Sequence, residues 1–132
     1  MIRRQTRIFS WPPRDARPAG VRDLWLKVKT LPERRAVIAA SGPLNASTAV
    51  PMKAQIRELV EGGQTEIVCD LREVSLLDAS GLSALVAGLK AARERGGSLR
   101  LVGLNPQVAS IFKLTMLHHI FEMHPSVEAL VA

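Results

Sequence analysis

The stretch Val74-Ser75-Leu76-Leu77-Asp78-Ala79-Ser80-Gly81-Leu82 sits where an apolar run gives way to a helical pattern, and it decides the reading of the rest of the chain. If Asp78 is the residue that caps the helix, Leu77 falls at N′ and Leu82 at N4, the pair that forms a hydrophobic staple. Ser80 and Gly81 then occupy the first turn, where backbone N–H groups lack intrahelical partners and the positive end of the helix dipole lies. Two readings of this small-residue platform stand side by side. It is a good helix cap and nothing more, or it is a surface for close approach by a partner or for a phosphate on a side-chain oxygen.

Upstream, Thr65-Glu66-Ile67-Val68-Cys69-Asp70-Leu71 is too short for a helix and is bounded by turn residues, so it reads as a central strand. Downstream, Leu82, Leu85, Val86 and Leu89 form a helical stripe opposite Lys90, Arg93 and Glu94, and Gly96-Gly97 closes it. Ser98–Val102 reads as the next strand. Asn105-Pro106 then supplies a cap and a first-turn proline for a helix whose Val108, Ile111, Phe112 and Thr115 or Met116 face inward. Ile120–Met123 reads as a short last strand, and Ser126 caps a closing helical turn with Val127, Leu130 and Val131.

On the N-terminal side, the alternation Leu24–Lys29 predicts a strand with Leu24, Leu26 and Val28 on one face. The Pro-containing turn Leu31–Arg34 leads into a second strand, Arg35–Ala40, and Ser41-Gly42-Pro43-Leu44 ends it. Asn45 is read as the cap of a helix with Met52, Ile56, Leu59 and Val60 on one face, stopped by Gly62-Gly63. Pro51 fits that helix only if it lies in the first turn. Strands alternating with helices argue for an α/β domain with a mixed sheet and helices packed on it.

The chain has 132 residues and a net charge of +6. Residues 1–22 hold six arginines against Asp15 alone, a net of +5, and Pro12, Pro13, Pro18 and Gly20 break any regular element. They are predicted to form a flexible basic tail, with one domain over residues 23–132 of net charge +1. The charge therefore argues against specific nucleic-acid binding by the body, and leaves attachment to nucleic acid or an anionic membrane as a property of the tail. Neither a secretory signal nor a membrane span is legible, and the lone Cys69 reads as a packed thiol in a reducing compartment. A cytoplasmic protein without stable membrane insertion is expected.

Catalytic chemistry finds no support in the residues. Ser80 lacks a Gly-x-Ser-x-Gly elbow, and no phosphate-binding or dinucleotide-binding glycine motif occurs. His118, His119 and His124 lie close in sequence, but neighbouring helical residues point about 100° apart and no further ligand stands at a metal-site spacing. No enzyme activity, metal or cofactor is expected.

In their order, these pieces resemble the STAS domain family of the anti-sigma-factor antagonist type. The resemblance runs through Gly42-Pro43-Leu44-Asn45-Ala46-Ser47-Thr48-Ala49, strand Ile67–Leu71, Val74–Leu82, Arg95–Gly103, Leu114–Leu117 and Ile120-Phe121. It implies a mixed four- or five-stranded sheet with helices mainly on one face. It also implies binding to an anti-sigma factor that is a serine kinase, which frees a sigma factor to control transcription. The partner surface implied is Asn45, Ala46, Ser47, Thr48, Asp78, Ala79, Ser80, Gly81 and Leu82. In such antagonists, phosphorylation of a Ser or Thr directly after the motif aspartate turns binding off. Here that position is Ala79, so phospho-control is absent or has moved to Ser80. Asn45 stands where the family often has Asp, and Met116 where it often has Gly, which puts a left-handed helix end at Met116 in question. The same fold serves as a subunit of lipid or solute ABC transporters without phosphorylation, which is the alternative reading.

Overall fold

A computed structural model describes residues 24–131, so the predicted flexible tail, residues 1–22, lies outside the described residues. Five strands lie in the order β1-β2-β3-β4-β5: β1 Trp25–Leu31, β2 Arg35–Leu44, β3 Glu66–Leu77, β4 Ser98–Val102 and β5 Glu122–His124. β1 is antiparallel to β2, and every other pairing is parallel. The helices are α1 Ala49–Glu61, α2 Ala79–Glu94, α3 Pro106–Leu114 and α4 Glu128–Val131, with a short 3-10 turn at Leu117–His119. This is the mixed α/β sheet expected.

Register explains the core. Ala36, Ile67 and Leu99 are aligned across β2, β3 and β4, as are Ile38, Cys69 and Leu101, and all six are buried. They share a face because side chains alternate along a strand. Met52, Ile56 and Val60 of α1, Leu85 and Leu89 of α2, and Val108 and Phe112 of α3 belong to the same core. Phe112 and Phe121 meet edge to face with ring centroids 5.5 Å apart. At Gly88, a Cβ would come within 2.9 Å of Ile56 Cδ1 and 3.0 Å of Leu99 Cδ1, so the absence of a side chain there lets α2 lie close to α1 and the sheet without displacing these side-chain ends. The opposite face carries an ionic row in which Arg100 bridges Glu66 and Glu122, and Glu122 also meets His124 at 2.6 Å. The His124 hydrogen bond, seconded by Arg100, lowers the pKa of the Glu122 carboxyl.

Several boundaries differ from expectation. β2 does not end at Ser41-Gly42-Pro43-Leu44 but continues through it, with register shifts between Ala39 and Ser41 and between Gly42 and Pro43. Such bulges accommodate a proline, which has no N–H for the ladder. β3 likewise runs on past Leu71 to Leu77, because the extended β2 gives it a parallel partner. The last strand is Glu122–His124 rather than Ile120–Met123; Ile120 instead closes the 3-10 turn.

Candidate functional site

The two segments singled out in the sequence meet at one end of the sheet, where β2 and β3 finish side by side. Leu44 and Leu77 are register partners, and Asp78 N–H donates to the Leu44 carbonyl at 3.1 Å. One residue past Leu44 the loop Asn45–Thr48 begins, and one residue past Leu77 stands Asp78, the cap of helix α2.

Asp78 is extended (φ −110°, ψ −173°) and caps α2: its Oδ1 accepts from Ser80 N–H at 2.9 Å and Gly81 N–H at 3.1 Å. Its carbonyl accepts from Leu82 N–H at 2.9 Å. Leu77 and Leu82, the staple positions, are both buried. The first-turn donors of Ser80 and Gly81 are thus already occupied by a carboxylate instead of facing outward unpaired. Gly81 is buried, and a Cβ there would lie 2.5 Å from the Leu44 carbonyl oxygen and 2.8 Å from Leu77 Cδ1. It faces the sheet. Ala79 is exposed and Ser80 half-buried.

In the loop, Asn45 does not cap α1. Its Oδ1 accepts from the N–H groups of Ser47 and Thr48, each at 3.1 Å, and its carbonyl accepts from Ala49 N–H at 2.8 Å. The Asn45 side chain thereby builds a turn just ahead of the helix. Thr48 is the cap residue of α1, which puts Pro51 in the first turn, where its missing N–H costs no helical bond. Thr48 Oγ1 accepts from Asn45 N–H at 2.9 Å and donates to the Pro43 carbonyl at 2.7 Å. Thr48 is only 6% exposed, so it holds the loop while Ala46 and Ser47 stand out from it.

Of the nine surface candidates, Ala46, Ser47 and Ala79 are exposed and Asn45, Asp78 and Ser80 half-buried, while Thr48, Gly81 and Leu82 support them from within. Two exposed apolar residues outside these nine adjoin them: Val50 at 69% exposure, and Leu76, within the stretch Val74–Leu82, at 50%. Val50 was findable, since it lies two residues, about 200° of helix, from the buried Met52.

Elsewhere, Cys69 is fully buried, and burial, followed by the Asp70 charge, pushes its thiol up to about 12. His118 Nδ1 lies 3.3 Å from the Phe112 carbonyl, and its ring lies against that of His119, centroids 4.1 Å apart and planes tilted by 35°. Among the described residues, no cluster of three His, Cys, Asp or Glu side chains could hold a metal ion, and no helix is long and apolar enough to cross a membrane.

The family model described as "Mlab, STAS domain" matches residues 28–125. The chain belongs to the STAS domain family. Its relatives include the anti-sigma-B factor antagonist of Listeria monocytogenes, 34% identical over 88 residues, spanning 65% of this chain and 75% of that protein. The anti-sigma-B factor antagonist of Bacillus subtilis is 29% identical over 83 residues, spanning 63% of this chain and 75% of that protein. Among solved structures, an anti-sigma factor antagonist from Mycobacterium paratuberculosis superposes with a TM-score of 0.72 at 24% identity, covering 80% of this chain and 89% of that one. A sulfate transporter family protein from Wolinella succinogenes does so with a TM-score of 0.66 at 18% identity, covering 76% and 84%. The relatives are regulators, and the structural likenesses describe the STAS fold.

Proposed function

We propose that this STAS domain is an anti-sigma-factor antagonist that binds an anti-sigma factor of the serine-kinase type and so releases a sigma factor. The contact surface is the loop Asn45–Thr48 together with the start of α2, Asp78–Leu82. The observation that carries this reading is the junction of the two segments through the Asp78 to Leu44 hydrogen bond, in a chain whose relatives are antagonists. That bond makes one continuous surface of two stretches separated by about thirty residues of sequence.

Phospho-control is absent in this reading. Ala79 has no hydroxyl, and Ser80 is a poor substitute because its own N–H and that of Gly81 already serve the Asp78 carboxylate. A phosphate on Ser80 would place about −1.5 to −2 charges beside that carboxylate, with the Ser80 and Gly81 N–H donors already engaged. The protein then acts as a constitutive antagonist, set by its abundance rather than by a kinase.

Calorimetric titration with the cognate anti-sigma factor tests the surface. Ser80→Glu weakens binding by about tenfold or more, because a charge enters a desolvated contact; undiminished affinity refutes the assignment. Ala79→Ser gains phosphate from the cognate kinase, and failure to label speaks for a partner that is not a kinase. A second reading, a STAS subunit bound to the ATPase of a lipid or solute transporter, draws on the transporter family structure above. Co-purification of a transporter ATPase in place of an ATP-binding kinase selects it.

A further inference from the structure

The surface proposed above leaves the positive charge of the chain unused. Residues 1–22 carry Arg3, Arg4, Arg7, Arg14, Arg17 and Arg22 against Asp15, whereas that surface has Asp78 as its one ionisable side chain, already engaged as the cap of α2.

The fold fixes where this basic segment joins the domain. Leu24 and Trp25 line a groove of about 290 Å³ together with Ser47, Thr48 and Pro51. Ser47 and Thr48 belong to the proposed surface, and Ser47 is exposed on it. Covalent geometry then limits the distance whatever path the chain takes. Arg22 is two residues before Leu24, with Asp23 between them, so the two Cα atoms lie within about 7 Å of each other. Arg17, seven residues before Leu24, lies within about 25 Å. A contact of ordinary size, about 800 Å² on each partner, is on the order of 30 Å across. Arg22 is therefore within or beside any such contact that includes Ser47, and Arg17 can reach its margin.

The charges of the adjoining elements bear on what the arginines meet. From Leu24 through Leu31, over Asn45–Thr48 and along α1 as far as Arg57, the ionisable side chains are Lys27, Lys29, Lys53 and Arg57, with no acid among them, and all four are exposed. The elements that form the groove thus give the arginines no countercharge. A second copy brings the same elements, on a body that at net +1 has no acidic excess. An acidic area on the partner protein that lies against Ser47 does supply opposite charge, at the edge of the contact, where it speeds encounter and adds affinity that salt screens. Resting on the antagonist reading above, we propose that residues 1–22 are the basic part of the binding surface and recognise an acidic area of the anti-sigma factor next to the contact made by Asn45–Thr48.

The test keeps the full chain and measures calorimetric binding to the purified cognate anti-sigma factor at about 50 mM and about 300 mM salt. In one variant Arg3, Arg4, Arg7, Arg14, Arg17 and Arg22 are all changed to glutamine, and in a second all six are changed to lysine. The glutamine variant is expected to bind about tenfold more weakly at low salt, with the gap closing at high salt and the urea midpoint unchanged. The lysine variant should keep most of the affinity, because the charge is retained. Ser80→Glu, measured beside them, reports on the start of α2. If Ser80→Glu weakens binding while the glutamine variant matches the native chain at both salts, the inference is overturned and the antagonist reading stands. No binding by the native chain, or affinity undiminished in Ser80→Glu, overturns that reading and the inference with it. Tighter binding by the glutamine variant makes the segment a competitor for the surface and overturns the inference alone. So does arginine-dependent dimerisation in sedimentation, or arginine-dependent capture by phosphatidylserine vesicles or duplex DNA, at unaltered affinity for the anti-sigma factor.

Discussion

At Gly81 the first turn of α2 passes so close to β2 that one added methyl group would lie 2.5 Å from the Leu44 carbonyl oxygen. Alanine is the better helix former by about 1 kcal/mol. Packing reverses that preference, because neither a strand carbonyl nor the buried Leu77 can retreat. Gly81→Ala is therefore expected to destabilise the domain by about 1–3 kcal/mol, read as a lower urea midpoint with an unchanged slope. The residue pattern alone showed Asp78 as a cap and Leu77 and Leu82 as its staple, since those roles depend on spacing along one chain. It placed Gly81 on the partner surface because nothing in the local sequence says that Leu44, 37 positions earlier, lies beneath it. Met116 shows the opposite limit. Its left-handed conformation, put in question by the absence of glycine, is adopted at a backbone cost of about 1–2 kcal/mol, which the packing of Leu117 and Phe121 around the turn offsets.

Among the elements, α1 shows how a proline locates a helix start. Asn45 has the better cap chemistry, yet a helix begun there would carry Pro51 beyond the first turn and lose a hydrogen bond, at a cost of about 3 kcal/mol. Starting after Thr48 puts Pro51 where no N–H is needed, and Asn45 orders the preceding turn instead. Pro51→Ala should accordingly shift stability by no more than about 1 kcal/mol, and downward, through the greater freedom of the unfolded chain. A loss near 3 kcal/mol in urea denaturation would mean that the proline does something other than occupy an undemanding position. The extension of β2 to Leu44 and of β3 to Leu77 was not legible, because both run through bulges that break the alternation of buried and exposed residues. Each extension exists because the other supplies its hydrogen bonds, a reciprocity that a window on one segment does not contain. It also carries the candidate site, since it brings Asn45 beside Asp78.

For the whole molecule, Cys69 couples the core to pH. It stands in the central strand, and burial raises its thiol from an ordinary 9.0 to about 12. Above pH 9 the unfolded chain sheds a proton that the native thiol retains, so this group makes stability fall as pH rises from about 9 toward 12, with a slope of up to about 1.4 kcal/mol per pH unit. Comparing urea midpoints near pH 8 and pH 10.5, the native protein should lose more than Cys69→Ala, although the variant is less stable at pH 8 for want of the buried sulfur. Equal losses would show that the thiol does not govern the alkaline limb. The same scale separates what the sequence by itself determined from what only the tertiary structure decided. Strand and helix order, the buried stripes, the Asp78 cap and membership of an α/β sheet fold were legible, because each follows from hydrophobic period and capping chemistry within a short stretch. Which small residues of the site face out and which face in, where α1 starts, how far β2 and β3 run, and the exposure of Leu114, Met116 and Ile120 were decided by the fold. They depend on distances between segments far apart in the chain, and only packing sets those distances.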